Sequence, residues 1–224
     1  MADVVGEILT FAIGIAISPI PIIAVILILF STRAKVNDPA FLLGWIIGVT
    51  AVTVIVLLVS NGADVGTSSG ANNTVSGIKL VLGILLIASG VRHFRNRPAP
   101  GTEAEMPKWM TAVDAFTPAK AFGAGVVLSA INPKNLILAA GGAAQIAQAN
   151  LTTSKEIGCV VVFVLVASVS IGGAVLLYRV GGEKAQHVLN GWKVWLSQNN
   201  ATVMAVLLVV IGVALAGKGL DVFD

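Results

Sequence analysis

Ser129-Ala130-Ile131-Asn132-Pro133-Lys134-Asn135 lies inside an apolar run that extends from about 118 to 147. A helix that crosses a bilayer needs about 20 mostly apolar residues, and this run is long enough. Proline removes a backbone donor and collides with the preceding turn, so Pro133 between two asparagines predicts a broken helix. Irregular backbone at membrane depth is tolerated only where protein or water satisfies the freed amides and carbonyls. The stretch therefore predicts a crossing interrupted near its middle, with a lysine at the break.

A counterpart stands earlier in the chain: Gly14-Ile15-Ala16-Ile17-Ser18-Pro19-Ile20-Pro21. Aligning Pro19 with Pro133 brings Gly44 onto Gly158 without a gap. With a modest insertion, Gly83 and Gly90 match Gly212 and Gly219. Pro19 stands twelve residues after Glu7 and fourteen before Arg33, and Pro133 stands thirteen after Lys120. At about 1.5 Å per residue each proline is roughly 20 Å from its charged flank, close to the midplane.

The whole composition agrees with a membrane protein. Of 224 residues, 56% are hydrophobic and only 11% charged, against about a quarter charged in a soluble domain. Mean hydropathy is +0.93, and the pI near 9.2 reflects few acids rather than many bases. That balance excludes a water-soluble globule, a disordered chain, a coiled coil and a nucleic-acid-binding domain. A single cysteine, Cys159, excludes an internal disulfide and a CxxC redox or zinc site.

Six apolar stretches are long enough to cross, at about 8–30, 40–60, 76–94, 118–147, 156–178 and 200–218. They lack the alternation of a barrel strand, and Asp3 and Glu7, with no preceding base, speak against a cleaved signal peptide. The expected fold is an all-α integral membrane protein of six transmembrane helices. Residues 1–94 form a first three-helix repeat, 95–117 a cytoplasmic linker, and 118–224 a second repeat. Three is odd, so the second unit enters the membrane from the opposite side, as in the inverted repeats of secondary transporters.

Lys and Arg fix the orientation. Ten of the fourteen fall after spans 1, 3 and 5: Arg33 and Lys35, then Arg92, Arg95, Arg97, Lys108 and Lys120, then Arg179, Lys184 and Lys193. Only Lys155 and Lys218 fall on the other side. Both termini are therefore expected outside the cytoplasm, in a multi-pass protein of the plasma (inner) membrane.

Lys134 carries the chemistry. A lysine at the bilayer centre costs about 2.5–3.5 kcal/mol on insertion scales, and ionisable groups there mark functional sites. No carboxylate lies deep in any expected span, so its partner is either a carbonyl cluster at the break or an anionic ligand. Ser18, Pro19 and Pro21 are expected to face Asn132, Pro133, Lys134 and Asn135 across a central cavity, and the freed amides of two half-helices add positive dipole ends. Gln145 and Gln148 lie farther along, toward the outer mouth. Gly44-xxx-Gly48, Gly141-Gly142 and Gly172-Gly173 read as small faces for close helix approach, and Trp45, Trp192 and Trp195 as interfacial anchors. His93, among arginines at a helix end, reads as part of a solvated, topology-setting segment.

These residues carry a resemblance. Gly14 to Pro21, the basic loop and Gly44-xxx-Gly48 resemble the first half of the LysE transporter superfamily, with Ile20 where Pro-Gly-Pro is usual. Ser129 to Leu136, continuing through Ala144-Gln145-Ile146-Ala147-Gln148-Ala149, resembles one branch of it more closely. That branch is the GAP, or glycolipid-addressing, family, whose members are also described as sulfolipid-addressing (Sap-like) proteins.

The resemblance implies export, or assistance in export, of an envelope glycolipid or related anionic lipid by alternating access. Lys134 would hold the anionic group, apolar helix faces the acyl chains. Membrane lipids, lipid-synthesis or export proteins and a second copy of the chain (a homodimer) are the candidate partners. Two rivals remain: an exporter of amino acids or similar small metabolites, and a non-transporting scaffold for lipid synthesis and export. No nucleophile with a positioned base appears at membrane depth, so an enzyme is not expected. No cofactor or metal is expected either, since deep Asp or Glu ligands are missing.

Overall fold

In the computed structural model, residues 2–62, 69–97 and 112–220 are described. Residues 63–68, between spans 2 and 3, and 98–111 of the linker lie outside them; the rest of the connection after span 2 is helical, since α3 continues to Gly62 and α4 begins at Ser69. Nine helices account for most of the described residues: α1 Ala2–Ala16, α2 Pro19–Leu29, α3 Ala34–Gly62, α4 Ser69–Arg95, α5 Pro118–Val126, α6 Pro133–Gln148, α7 Thr153–Ala167, α8 Val169–Val180 and α9 Gly182–Gly219. Among the described residues there is no strand. The all-α expectation holds.

Two helices, Ala34–Ser60 and Gly182–Gly217, are long and apolar enough to cross by themselves. Three bent pairs qualify when each is counted as one span: α1 with α2 at 53°, 118–131 with α6 at 62°, and α7 with α8 at 55°. That makes up to five candidate crossings among the described residues. The remaining expected span, the third at 76–94, lies on α4, which runs antiparallel along α9.

The first two bends stand where proline predicted them. The residue before a proline is pushed out of the helical region. Ser18 accordingly has φ −68°, ψ 115° and Asn132 φ −59°, ψ 116°. Pro19 and Pro133 then open the next helix at its first position, where a missing N–H costs nothing. The third bend, at Ser168, has no proline behind it. It was not expected.

Glycine sets the helix spacing where backbones meet. A Cβ on Gly44 would overlap the Phe122 carbonyl oxygen, one on Gly48 the Ser129 hydroxyl, and one on Gly125 the Phe41 carbonyl, so α3 and α5 touch closely. Gly83, Gly90, Gly212 and Gly219 do the same between α4 and α9. Gly141 and Gly142 instead give room to the rings of Phe11 and Phe163. Gly172 and Gly173 face open space, which corrects their expected role in close packing. The core is filled by α2, whose side chains Ile22–Ile26, Ile28 and Leu29 are all buried, together with Phe41, Trp45, Phe163 and Ile171.

Other expectations are also revised. Trp45 is fully buried, so it is a core residue and not an interfacial anchor, while Trp192 and Trp195 are exposed. The segment after span 5 is no loop: α9 runs for 38 residues from Gly182, which turns the chain with a φ of +56°. The basic connection after span 1 is largely helical from Ala34, and it buries Asn37 and Asp38.

Candidate functional site

The two proline breaks meet. α1 runs antiparallel to α6, with Gly14 against Leu138 and Phe11 against Gly141. Their facing ends therefore place Ser18 beside Lys134 and Asn135. The Lys134 Nζ donates to Ser18 Oγ at 2.7 Å, and Ser18 Oγ donates to Asn135 Oδ1 at 2.9 Å. The Asn135 Nδ2 in turn donates to the Leu128 carbonyl at 2.9 Å. Ser18, Lys134 and Asn135 are 2%, 5% and 0% exposed. The expected residues thus touch directly, and no open space separates Ser18 from Lys134.

Each break accounts for its freed backbone groups in a different way. At the second, the Asn132 amide reaches back five residues to the Val127 carbonyl at 3.2 Å, closing a wide final turn. The Asn132 side chain then accepts from the Lys134 amide at 3.1 Å as a helix cap. At the first, Ser18 makes no such cap, because its hydroxyl is engaged with Lys134 and Asn135. The Ala16 carbonyl, which has lost its helical partner, accepts from the Ser170 hydroxyl just past the third bend. Sequence reading missed Ser170. A serine two residues after an unsuspected break carries no local signal.

The remaining expected site residues separate into two groups. Pro19 and Pro21 are buried in the core beside the cluster. Asn132 is half-buried and Pro133 is exposed, so Pro133 shapes the break without joining the buried contact. The expected positive dipole ends are also thinner than predicted. Pro19, Pro21 and Pro133 have no N–H to offer, and the Lys134 amide is already capped. Among the described residues, the ionisable group of this site is the Lys134 side chain. Gln145 is buried three turns farther along the same face of α6, and Gln148 is exposed.

Beyond Phe11, toward the amino terminus of α1, a cavity of about 410 Å³ opens between α1 and α9. Phe11, Ile211 and Leu215 line it on the apolar side, and Asp3, Glu7 and Thr10 on the polar side. At the opposite end the first half is joined to the second half and to the linker by contacts that sequence reading did not foresee. Arg179 donates to the two Asp38 oxygens at 2.6 and 3.2 Å, and the Asn37 side chain donates to the Phe116 carbonyl at 2.9 Å.

An all-helical chain with long apolar spans, two of them broken at matched prolines around a buried lysine, defines a polytopic membrane protein with an internal polar site. The family model described as Sap, sulfolipid-1-addressing protein, matches residues 8–221. The chain belongs to that family, whose description is lipid addressing and not an enzymatic activity. No curated protein and no solved structure matches the chain.

Proposed function

We propose that this protein exports, or assists the export of, an envelope glycolipid or related anionic lipid across the plasma membrane. The anionic group of the cargo would be held at Lys134 between two inverted three-helix repeats. Its motion is rocking of residues 1–94 against residues 118–224, joined by a cytoplasmic linker at 95–117, through six crossings with both termini outside.

The observation that carries this reading is the Lys134 contact. The buried Lys134 amine donates to a neutral hydroxyl from the other half of the chain, and among the described residues no carboxylate is hydrogen-bonded to it. An anionic group would satisfy the ammonium better than serine does. Support for the inverted repeat comes from α4 and α9. Gly83 lies against Ala216 and Gly212 against Ile87, and one sequence offset relates Gly83 to Gly212 and Ile87 to Ala216. The two contacts are copies with the halves exchanged. Gly90 with Val209 and Gly219 with Leu80 repeat the pattern under the same offset.

Lys134→Ala is expected to abolish transport while leaving folded protein abundant in the membrane. It loses one hydrogen bond but relieves an insertion cost of about 2.5–3.5 kcal/mol. Lys134→Arg should keep partial activity, since a planar guanidinium does not match a contact made by a compact ammonium. Transport and melting temperature are measured on the same purified variants. A destabilised Lys134→Ala with normal transport per folded molecule would sink the ligand-site reading. A lipid inventory of a deletion strain separates lipid cargo from small metabolites. Topology is checked with cysteine reporters in a Cys159→Ala background: position 151 should label from outside and position 33 from inside.

A further inference from the structure

We infer that Asp38 and Arg179 form the inner gate of the transport path, an ion pair that locks the two halves together on the arginine-rich side of the central site. The inference rests on the rocking motion proposed above. Asp38 belongs to α3 in the first half and Arg179 to the end of α8 in the second. The Asp38 side chain is 2% exposed and that of Arg179 50% exposed, so the carboxylate is sealed inside and the guanidinium closes over it from the rim. The fork engages both carboxylate oxygens, a geometry that fixes orientation as well as distance. A buried carboxylate without such a partner is expensive, so the pair favours the arrangement in which the halves stay in contact.

The position suits a gate. Gly48, which meets Ser129 near the second break, is ten residues beyond Asp38 on α3, about 15 Å along the helix. Ser170, which meets Ala16 at the first break, is nine residues before Arg179, about 13 Å. Two independent helices thus place the pair at a similar height on one side of the Lys134 contact. One more contact between the halves stands at this end, the Phe30 ring on Tyr178 with centroids 6.1 Å apart, and Asn37 of the first half donates to the Phe116 carbonyl at the end of the linker. On the other side of the site is the cavity beyond Phe11. A second cavity, of about 440 Å³, lies on the arginine-rich face along α4, lined by Arg92 and Arg95, so what distinguishes that end beside the central site is the ion pair between the halves.

The test uses a cysteine at the third bend. Ser168 is buried, its hydroxyl has no hydrogen-bond partner among the described residues, and it stands at the level of the central site. In full-length Ser168→Cys/Cys159→Ala protein, a membrane-impermeant maleimide is applied to right-side-out and inside-out vesicles. With the pair intact, labelling is expected to be slow from both faces. Arg179→Gln, which alters only a half-exposed side chain, should raise the rate about tenfold from the arginine-rich face alone, as a shift in the population of open molecules requires. Asp38→Asn should do the same, and the double variant should open no further than either single one.

Unchanged rates, or rates that rise equally from both faces, overturn the gate. If Asp38→Asn does not fold, Arg179→Gln decides by itself. The assay contains no cargo, so failure of the gate and failure of the Lys134 reading are seen separately.

Discussion

The break at Ser18-Pro19 and the break at Asn132-Pro133 share nearly the same backbone angles, yet they are held in opposite ways. The second is self-sufficient: Asn132 caps the Lys134 amide, the Asn132 amide closes on Val127, and the Asn135 side chain covers the Leu128 carbonyl. All of these partners come from the same bent span. The first is held from outside, by Ser170 on the Ala16 carbonyl and by Lys134 and Asn135 on Ser18. Matched prolines therefore create matched bends, but only one of them survives separation of the halves unchanged. In the proposed rocking motion, the second break is the fixed seat and the first is the part that must exchange partners.

The most damaging test of this contrast is Asn135→Ala. It leaves the Leu128 carbonyl buried without a partner and removes the acceptor of Ser18, so a loss of about 2–3 kcal/mol is expected. A melting temperature unchanged from wild type would refute the self-sufficient second break. Ser170→Ala comes next, at about 1–2 kcal/mol for one buried carbonyl left unsatisfied. Backbone hydrogen exchange should then quicken around Ala16 and remain unchanged around Asn132; equal changes at both places would erase the distinction.

Asn132→Ala removes a helix cap and should cost about 1 kcal/mol, with Asn132→Asp or Asn132→Ser restoring most of it. Smallest is Pro133→Ala, since the residue is exposed and occupies the first helical position. A shift within about 0.5 kcal/mol is expected, against a clearly larger one for buried Pro19→Ala. Reversal of that order, read from melting of the two purified variants, would show that burial does not distinguish the breaks.

The bends at Pro19 and Pro133, and the meeting of Ser18 with Lys134 and Asn135, were legible in the sequence because proline acts locally and a lysine at that depth has few explanations. Ser168 was not. It bends a span with no proline, and its neighbours are as apolar as any straight helix. Asp38 was not legible for a related reason. Beside Pro39 and several polar residues it looks like part of a solvated connection, and its partner lies 141 positions away. Trp45 and the Gly172-Gly173 pair were assigned by residue type, yet a tryptophan serves an interface or a core equally well. Only the neighbours decide, and neighbours from the other half of a chain leave no trace in local composition.

The length of α9 has a mechanical consequence. Its 38 residues make a rod of about 57 Å. Even at a tilt of about 40°, near the limit for membrane helices, it would reach about 44 Å along the bilayer normal, well beyond a hydrocarbon core of about 30 Å. The surplus is the stretch that exposes Trp192 and Trp195 while seating Ala185 and Leu189 against the rest of the molecule. Such a helix behaves like a mast stepped through a deck. It can lean, but any slide along its own axis would carry the two exposed tryptophans with it. The last crossing therefore sets the vertical position of its antiparallel neighbour α4, leaving sideways tilt as the freedom that remains.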